Sequence, residues 1–323
     1  MKNAVICGSG SYTPENRVSN NDLSKIMDTN DEWIYTRTGI KNRHISTGEN
    51  TSDIACKAGE IAIQDAGFKP DDIDLIIVST ITPDRQMPSV ACMVQKKLGA
   101  INAAAFDLSA ACSGFIYALD VADSMIKSGR FKRILVIGAE ILSKSVDWND
   151  RTTAVLFGDG AGAVVLGASE EKGIISSYLA AEGDKGEYLM MEDKPVINPY
   201  SKNNSNYSKF ITMDGRQVFK FSTRVIVAAI NEVLKKSRDT LNDISWIIPH
   251  QANGRIISFA ADKLGIAKEK FYLNIEEYGN TSSASIAIAL DEALKEKKIK
   301  KGEKIVLVGF GGGLTYGAML LQI

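Results

Sequence analysis

The sequence predicts an α/β protein in which one arrangement of strands and helices occurs twice. Residues 71–78 and 242–249 both run from polar residues into an aliphatic stretch, and they lie 171 positions apart. The same offset carries 134–138 onto 305–309, with a basic residue before each run. Such short apolar runs are typical of buried strands, and their alternation with helices indicates largely parallel sheets. Amphipathic periodicity predicts the helices, over 52–66, 114–128 and 284–298.

The repeat divides the chain into two halves of similar length. A charged run within 167–173 interrupts a strand pattern, so we place the boundary there. We expect an N-terminal half over 1–170 and a C-terminal half over 171–323, with similar folds and packed into one body. Residues 183–215 are rich in Gly, Asn, Ser, Asp and Lys, which predicts a long loop.

The composition is that of an ordinary globular protein and excludes several function classes. The 323 residues include 38 Lys and Arg against 39 Asp and Glu, a formal net charge of −1, and 45% are hydrophobic. This charge balance lacks the excess of basic residues that is typical of nucleic-acid-binding proteins. No apolar run approaches the roughly 18 residues of a membrane helix. The first residues lack the long apolar segment of a signal peptide. We therefore expect neither nucleic acid nor a membrane as a partner.

The number and spacing of the cysteines and histidines further limit the disulfides and metal sites that the chain can form. The four cysteines are far apart and form no Cys-x-x-Cys pair, which indicates a reducing, cytoplasmic environment. Because His44 and His250 are the only histidines, a zinc site of His and Cys ligands is nearly excluded. We expect no metal and no cofactor. His44 stands among charged residues and is assigned a structural role.

Cys112 is the first candidate for catalysis. An apolar strand ends in the small residues 109–111, and an amphipathic helix begins at about Gly114. The thiol is therefore predicted at a strand-to-helix turn, where a helix N-terminus favours the thiolate and lowers the pKa of a thiol. On this local context alone, a buried core cysteine is an equally good interpretation.

Two polar turns of the C-terminal half are candidates to share a site with Cys112. His250 follows the predicted strand 246–249, at the end where α/β sheets place ligands, although a hydrogen-bonded loop histidine is the structural alternative. Asn280 stands in a small polar turn before a predicted helix, where it can also be only a cap. The 171-residue offset maps Cys112 onto Ser283. The turns of the two halves should therefore meet around a pseudo-twofold axis.

Three consecutive glycines, residues 311–313, follow the last predicted strand. They would let the backbone approach a ligand closely and direct its amides at it, although a tight turn is the structural alternative. The glycines in 158–162 are assigned instead to close strand packing. The segment 8–10 begins like a dinucleotide fingerprint but lacks its third glycine.

Together these motifs resemble the β-ketoacyl-acyl carrier protein synthase III family. The resemblance is carried by 110–114, 250–253, 279–283 and 311–313 in this order, and it extends from Gly8 to the C-terminus. It implies the duplicated thiolase-like fold, in which two α/β halves form a five-layered arrangement. The chain differs from related enzymes in ways that support this family.

Three related classes are excluded by single positions. Thiolases have a second cysteine before the final glycine turn, where this chain has Gly309 and Phe310. Elongating synthases use a second histidine where this chain has Asn280. Hydroxymethylglutaryl-CoA synthases use a catalytic glutamate in the first half, and residues 79–82 contain none.

The resemblance implies an acyltransferase that starts fatty acid synthesis. Cys112 would take a short acyl group, acetyl or similar, from coenzyme A and pass it to malonyl-acyl carrier protein in a decarboxylative Claisen condensation. His250 and Asn280 would bind the malonyl thioester oxygen, while the amides of Cys112 and Gly312 would form the oxyanion hole. The product would be β-ketoacyl-acyl carrier protein. The enzyme would be a homodimer, with acyl carrier protein and acyl-CoA as its partners.

The resemblance also implies which residues bind the substrates. The CoA adenine would lie between Trp33 and Arg151. The pantetheine tunnel would be lined by Arg37, Gly215, Phe219 and Asn253. The acidic carrier protein would dock on Gln251, Ala252, Asn253, Gly254 and Arg255, with added charge from Lys220 and Lys263. Met87 would close the acyl pocket across the dimer interface, and its flexible side chain leaves the primer length open.

Other functions are kept as alternatives. A specialised-metabolite relative that uses other acyl thioesters would carry the same motifs. A cysteine hydrolase built on Cys112 and His250 would need an acidic group to orient the histidine, and no such motif is present. A catalytically silent interaction protein would not need the full set of motifs, and a redox protein would need a resolving cysteine near Cys112.

Overall fold

The computed structural model describes residues 2–201 and 207–323, along which strands and helices alternate. The strands are β1 (Asn3–Tyr12), β2 (Arg17–Ser19), β3 (Asn42–His44), β4 (Leu75–Ser79), β5 (Ala104–Leu108), β6 (Arg133–Glu140), β7 (Gly160–Ser169), β8 (Ile174–Ala181), β9 (Leu189–Met190), β10 (Thr212–Met213), β11 (Trp246–Pro249), β12 (Lys304–Gly311) and β13 (Thr315–Gln322). The helices are α1 (Asn20–Leu23), α2 (Asp31–Thr38), α3 (Thr51–Asp65), α4 (Val90–Leu98), α5 (Gly114–Lys127), α6 (Arg151–Ala154), α7 (Gly215–Ser237), α8 (Gly254–Leu264), α9 (Ile275–Tyr278) and α10 (Ser285–Lys295). The three predicted helices correspond to α3, α5 and α10.

Two sheets form the framework, with strand orders β1-β7-β6-β4-β5 and β11-β12-β13-β8. The prediction of largely parallel sheets is wrong, because both sheets are mixed. Parallel pairs join β4 to β5 and β6, and β11 to β12. By contrast, β7 and β13 are antiparallel to both of their neighbours. In the second sheet the connection from β12 to β13 is only residues 312–314, which is too short for a parallel crossover.

The sheets and helices stack in five layers. Helices α5 and α10 lie between the two sheets and contact both. Helices α3 and α4 cover the outer face of the first sheet, while α7 and α8 cover that of the second. Buried aliphatic and aromatic side chains fill these layers, with Phe115 and Ile286 in the central one. This is the five-layered α/β arrangement that the family resemblance implies.

The 171-residue offset relates the two sheets element by element. It carries the first residues of β1, β4 and β6 onto those of β8, β11 and β12, and the start of α5 onto the start of α10. The short helical turns before these two helices also correspond, and each contains a residue with left-handed backbone, Ala111 at φ 46° and Ser282 at φ 49°. The boundary at residue 170 stays a prediction, and it falls between the end of β7 and the start of β8.

The predicted loop over 183–215 is mostly irregular. It contains a short helical turn, Gly183–Tyr188, and the two-residue strands β9 and β10. Its residues 202–206 lie outside the described part of the chain. Within the described ranges, no helix is long and apolar enough to cross a membrane, and His, Cys, Asp and Glu side chains do not gather in threes as metal ligands.

Candidate active site

Cys112 lies in the turn between β5 and α5. The helix begins at Gly114, and the cysteine is 6% exposed. The Ser113 hydroxyl holds the turn, because it donates to the Ala110 carbonyl at 2.9 Å and lies 2.7 Å from the Thr315 hydroxyl. Since Thr315 belongs to β13, the second half of the chain fixes the turn that carries the thiol.

Asn280 precedes the corresponding turn of the second half. Its backbone N–H donates to the Leu156 carbonyl at 2.9 Å, and its carbonyl accepts from the Gly158 N–H at 3.0 Å. Its side-chain oxygen accepts the backbone N–H of Ser282 at 2.9 Å. Because the oxygen is held in this way, Nδ2 is the group left to donate, and it has no acceptor among the described residues.

His250 follows β11 and is 2% exposed. Its backbone N–H donates to the Val308 carbonyl at 2.7 Å, and its ring Nδ1 lies 2.7 Å from the Ser285 hydroxyl oxygen. The ring packs edge-on against Phe310, with ring centres 5.3 Å apart. In the described ranges its Nε2 has no hydrogen-bond partner. The imidazole is therefore fixed on one side and free to interact on the other.

Glycines allow the two halves to meet at these turns. A Cβ added to Gly311 would lie 2.6 Å from the Cys112 nitrogen, and one added to Gly138 would lie 2.3 Å from the Ser283 carbonyl oxygen. Hence β12 of the second half packs against the cysteine turn, and β6 of the first half packs against the turn after Asn280. These contacts bring the predicted turns together.

A Gly311→Ala substitution should disable the site by steric conflict alone. Gly311 is extended at φ −175°, a conformation open to alanine, so only the 2.6 Å approach to Cys112 opposes the change. Displacing a reacting group by about 1 Å costs on the order of 100-fold in rate, and we expect at least that loss in the acylation of Cys112 that the resemblance implies. The matched control is Gly48→Ala, where nothing lies within 4 Å of the added carbon. Rapid-quench mass spectrometry measures the rate of acylation in both variants. A loss of rate below about tenfold in Gly311→Ala would contradict the close contact between Gly311 and Cys112.

Cys112, His250 and Asn280 line one cavity of about 230 Å³. Its walls are mostly apolar and come from α2, α7 and the start of α8. The predicted tunnel residues also line it, namely Trp33, Arg37, Gly215, Phe219 and Asn253. A small, mostly apolar cavity with a thiol, an imidazole and an amide in its wall suits a ligand whose reactive group lies next to these side chains.

A second cavity, of about 1190 Å³, is also lined by Cys112. Residues 80–86 and 189–194 line much of it, and so does Gly312. Cys112 and Gly312 both stand near the start of short helical turns, where backbone N–H groups have no acceptor within the turn. Met87 borders neither cavity and is 83% exposed.

The electrostatic surroundings of Cys112 differ from those predicted. Burial raises the pKa of the Cys112 thiol to about 12, and the charge of Glu140 acts in the same direction, whereas the Ser282 hydroxyl lowers it. The lowering expected from the helix N-terminus is therefore outweighed by burial, which disfavours the charged thiolate.

Glu140 is a buried carboxylate that hydrogen-bonds to both halves of the chain, and sequence reasoning missed it. It accepts hydrogen bonds from residues 80–82 of the first half. It also accepts from the Ser282 hydroxyl at 3.3 Å and the Ser283 hydroxyl at 3.0 Å in the second half. Burial raises its pKa while these donors lower it. The only sequence signal was a lone acidic residue at the end of an apolar run.

Burial lowers the pKa of His250 to about 3, so the imidazole is neutral in the folded chain above that pH. In the unfolded chain a histidine takes up a proton near pH 6.5. Stability should therefore fall as the pH drops below 6.5, because the unfolded state binds more protons. Between pH 7.5 and 5.5 we expect the free energy of unfolding to fall by about 1.4 kcal/mol more in the unmodified protein than in His250→Gln. Urea unfolding at both pH values measures this, and equal pH dependence would contradict a buried neutral His250.

Comparison with known proteins places this site in a family. The family models described as 3-oxoacyl-[acyl-carrier-protein (ACP)] synthase III and its C-terminal part match residues 106–183 and 234–323. A β-ketoacyl-[acyl-carrier-protein] synthase III from Clostridium acetobutylicum is 53% identical over 322 residues, covering 100% of this chain and 99% of that protein. The chain belongs to the β-ketoacyl-acyl carrier protein synthase III family.

Solved structures of synthase III agree with the sequence match. The crystal structure of 3-oxoacyl-[acyl-carrier-protein] synthase III from Aquifex aeolicus has a TM-score of 0.93 and 50% identity, covering 99% of this chain and 100% of that chain. The priming β-ketosynthase from the R1128 polyketide biosynthetic pathway also has a TM-score of 0.93, with 36% identity over 100% of this chain and 96% of that one. The predicted family, its thiolase-like fold and an acyltransferase that starts fatty acid synthesis are confirmed.

Two arginines contact the Trp33 ring. The guanidinium carbon of Arg37 lies 4.7 Å from the Trp33 ring centre, and that of Arg151 lies 5.1 Å from it. Arg151 is also paired with Asp28 at 3.2 Å, and it does not line the smaller cavity. The space predicted for an adenine between Trp33 and Arg151 is closed by their direct contact. Binding in that manner requires Arg151 to move away from the ring.

The prediction for Gln251 needs correcting. This residue is buried, and its amide group donates to the Pro249 and Tyr272 carbonyls and accepts from the Asn274 and Ile275 N–H groups. All of its hydrogen-bonding capacity is thus used inside the protein, so it is a structural residue and not part of a docking surface.

The start of α8 is accessible. Arg255 is exposed, and Asn253 caps this helix by accepting the Arg255 N–H at 2.9 Å. The Asn253 amide nitrogen donates to the Arg37 carbonyl at 3.0 Å. This bond joins the start of α8 to α2, and both Arg37 and Asn253 line the smaller cavity.

Proposed function

We propose that the chain condenses a short acyl-CoA with malonyl-acyl carrier protein through an acyl-Cys112 intermediate. The observation that carries this proposal is that Cys112, His250 and Asn280 line one apolar cavity. Each is held by backbone contacts from another segment of the chain. The cavity therefore offers a nucleophile and two side-chain donors in fixed positions.

In the first step the Cys112 sulfur attacks the acyl carbonyl of the acyl-CoA. A bond forms from this sulfur to carbon, the bond from carbon to the CoA sulfur breaks, and the thiol proton leaves on CoA. The thiolate is the attacking form of Cys112, and the proton that the thiol gives up is taken by the departing CoA thiolate, so the exchange creates no lasting charge. The N–H groups of Cys112 and Gly312 are proposed to stabilise the oxyanion that forms on the way.

In the second step malonyl-acyl carrier protein loses carbon dioxide. The electron pair of the broken bond forms an enolate, whose oxygen accepts hydrogen bonds from His250 Nε2 and Asn280 Nδ2. The enolate carbon then attacks the acyl group on Cys112. The product is β-ketoacyl-acyl carrier protein, and the released thiolate takes a proton from water. A neutral His250 suits this step because it donates without removing a proton from carbon.

The rim of the smaller cavity suits an acidic carrier protein. Arg255 and Lys263 are exposed on α8 and Lys220 on α7, and the starts of the same two helices line the cavity through Asn253 and Gly215. Asp262 is also exposed and weakens the positive field beside Lys263. We assign docking to the basic side chains and to the accessible segment 252–255.

The assembly and location are part of the same proposal. Met87 is 83% exposed, although it is apolar, and it follows residues that border the larger cavity. We therefore expect a homodimer in which Met87 covers that cavity in the partner. The four cysteines are free thiols, which suits the cytoplasm.

Intact mass spectrometry after mixing with separate acyl-CoAs tests this function. Acetyl, longer and branched primers should each be offered, followed by malonyl-acyl carrier protein. One acyl adduct per chain, located on Cys112 and discharged to a β-ketoacyl product, is expected, and its rate ranks the primers. The absence of an adduct with every acyl-CoA would overturn priming from CoA.

A further inference from the structure

The hydroxyl of Ser285 lies behind the His250 ring. Ser285 is the first residue of α10 and is 2% exposed, as is His250. Its hydroxyl oxygen lies 2.7 Å from His250 Nδ1 and accepts the backbone N–H of Gln251 at 3.3 Å. One side chain thus contacts both the ring and the backbone that follows it.

The hydrogen-bond pattern decides where the proton of the imidazole sits. Across the described residues, Nδ1 is the only acceptor within hydrogen-bond distance of the Ser285 hydroxyl. A buried hydroxyl hydrogen without an acceptor is costly, so the hydroxyl donates to Nδ1. A neutral imidazole that accepts at Nδ1 carries its hydrogen on Nε2.

We propose that Ser285 is a positioning residue that fixes His250 as the Nε2–H tautomer, ready to donate to the malonyl thioester oxygen. The donation from Nε2–H to the malonyl thioester oxygen rests on the proposed function, whereas the assignment of the tautomer does not. The Phe310 ring packs against the imidazole and helps to keep Nδ1 towards Ser285. Ser285 acts through His250 and touches no substrate.

The duplicated fold shows why this position reaches the histidine. The 171-residue offset relates His250 to Ser79 and Ser285 to Gly114. A Cβ at Gly114 would lie 2.0 Å from the Ser79 hydroxyl oxygen, so the first half has no room for a side chain there. In the second half the same place between strand and helix holds the serine. The contact between positions 250 and 285 is therefore built into the shared geometry.

The other histidine provides an internal contrast. His44 Nδ1 lies 2.6 Å from the Pro14 carbonyl oxygen, which can only accept. His44 therefore carries a hydrogen on Nδ1, and its neutral form is the opposite tautomer to the one that we assign to His250. Because the chain has only these two histidines, one spectrum shows both.

Nitrogen NMR of protein labelled with ¹⁵N in the histidine rings tests the proposal. Spectra recorded well above the ordinary titration range of histidine should show a protonated Nε2 and an unprotonated Nδ1 for His250, with His44→Gln assigning the signals. The unmodified protein suffices for this measurement. A His250 ring protonated at Nδ1 would overturn the proposal.

Ser285→Ala links the tautomer to the reaction. We expect the Nδ1–H form of His250 to appear in the spectrum, and kcat of the malonyl step to fall about tenfold, the effect of one lost hydrogen bond. Acylation of Cys112 by acyl-CoA should stay within about twofold, and Ser176→Ala, which removes a distant hydroxyl bond to Val233, should change neither. If Ser285→Ala keeps the Nε2–H form and full condensation, Ser285 does not set the tautomer. If the protein never acylates at all, the proposed function fails while the tautomer measurement stands.

Discussion

Replacing Cys112 by alanine should abolish both the acyl adduct and the condensation. The adduct seen after mixing with acyl-CoA should disappear, and the overall rate should fall by at least about 10⁴-fold, as expected for loss of a nucleophile. Alanine fits the turn, because the substitution only removes the sulfur from a site where Gly311 already packs against the backbone. The loss is therefore chemical and not steric.

The same variant should keep one partial activity. His250 and Asn280 are untouched, so slow decarboxylation of malonyl-acyl carrier protein should persist without formation of a β-ketoacyl product. Cys92→Ala is the matched control, since it removes an exposed free thiol that borders neither cavity. A Cys112→Ala protein that still carries one acyl group per chain would identify another residue as the nucleophile.

The duplicated architecture was predictable because short apolar segments of the sequence recur at a constant offset. The 171-residue offset appears in the sequence of the strands, and the structure repeats it in β4 and β11 and in the turns at Ala111 and Ser282. Apolar periodicity fixes the strands and helices. It does not fix strand direction, which in β13 depends on a three-residue connection, so the mixed sheets were not foreseen.

The sequence predicted the reactive side chains of the candidate site but not the burial and hydrogen bonding around them. Cys112, His250 and Asn280 stand out because their residue types are rare or placed at turns. The pKa of Cys112 depends on how completely the second half of the chain buries it, and a local helix argument cannot supply that. The burial of Gln251 was missed for the same reason, because the residues that donate to its side chain in the interior are more than twenty positions away in the chain.

Glu140 and Ser285 support the candidate site, and the sequence analysis did not predict either of them. Each acts through hydrogen bonds to residues that are distant in the chain, Glu140 to the turn after Asn280 and Ser285 to His250. Neither residue type is rare, and neither lies in a recognisable motif of its own. Only the three-dimensional contacts distinguish them from ordinary buried polar residues.

Replacing Asn280 by alanine should separate the two steps of the reaction. Condensation with malonyl-acyl carrier protein should slow by about 10²–10³-fold, the usual effect of removing one donor to a developing oxyanion. Acyl transfer from CoA to Cys112 should proceed at close to its normal rate, because Asn280 is assigned only to the malonyl oxygen. The acyl-enzyme should therefore accumulate, and intact mass spectrometry during turnover measures its fraction.

Asn280→Asp shows whether the loss comes from geometry or from the donor. A carboxylate still accepts the Ser282 N–H, which Asn280 now accepts at 2.9 Å, so the turn should be retained. The donor, however, is replaced by a negative charge beside the developing enolate, and condensation should be at least as slow as in Asn280→Ala. Asn102→Ala, which loses only an exposed bond to the Asp71 carbonyl, serves as the control and should behave normally. If both Asn280 variants slow acylation as much as condensation, Asn280 acts in the first step, and the assignment of its Nδ2 to the malonyl oxygen is wrong.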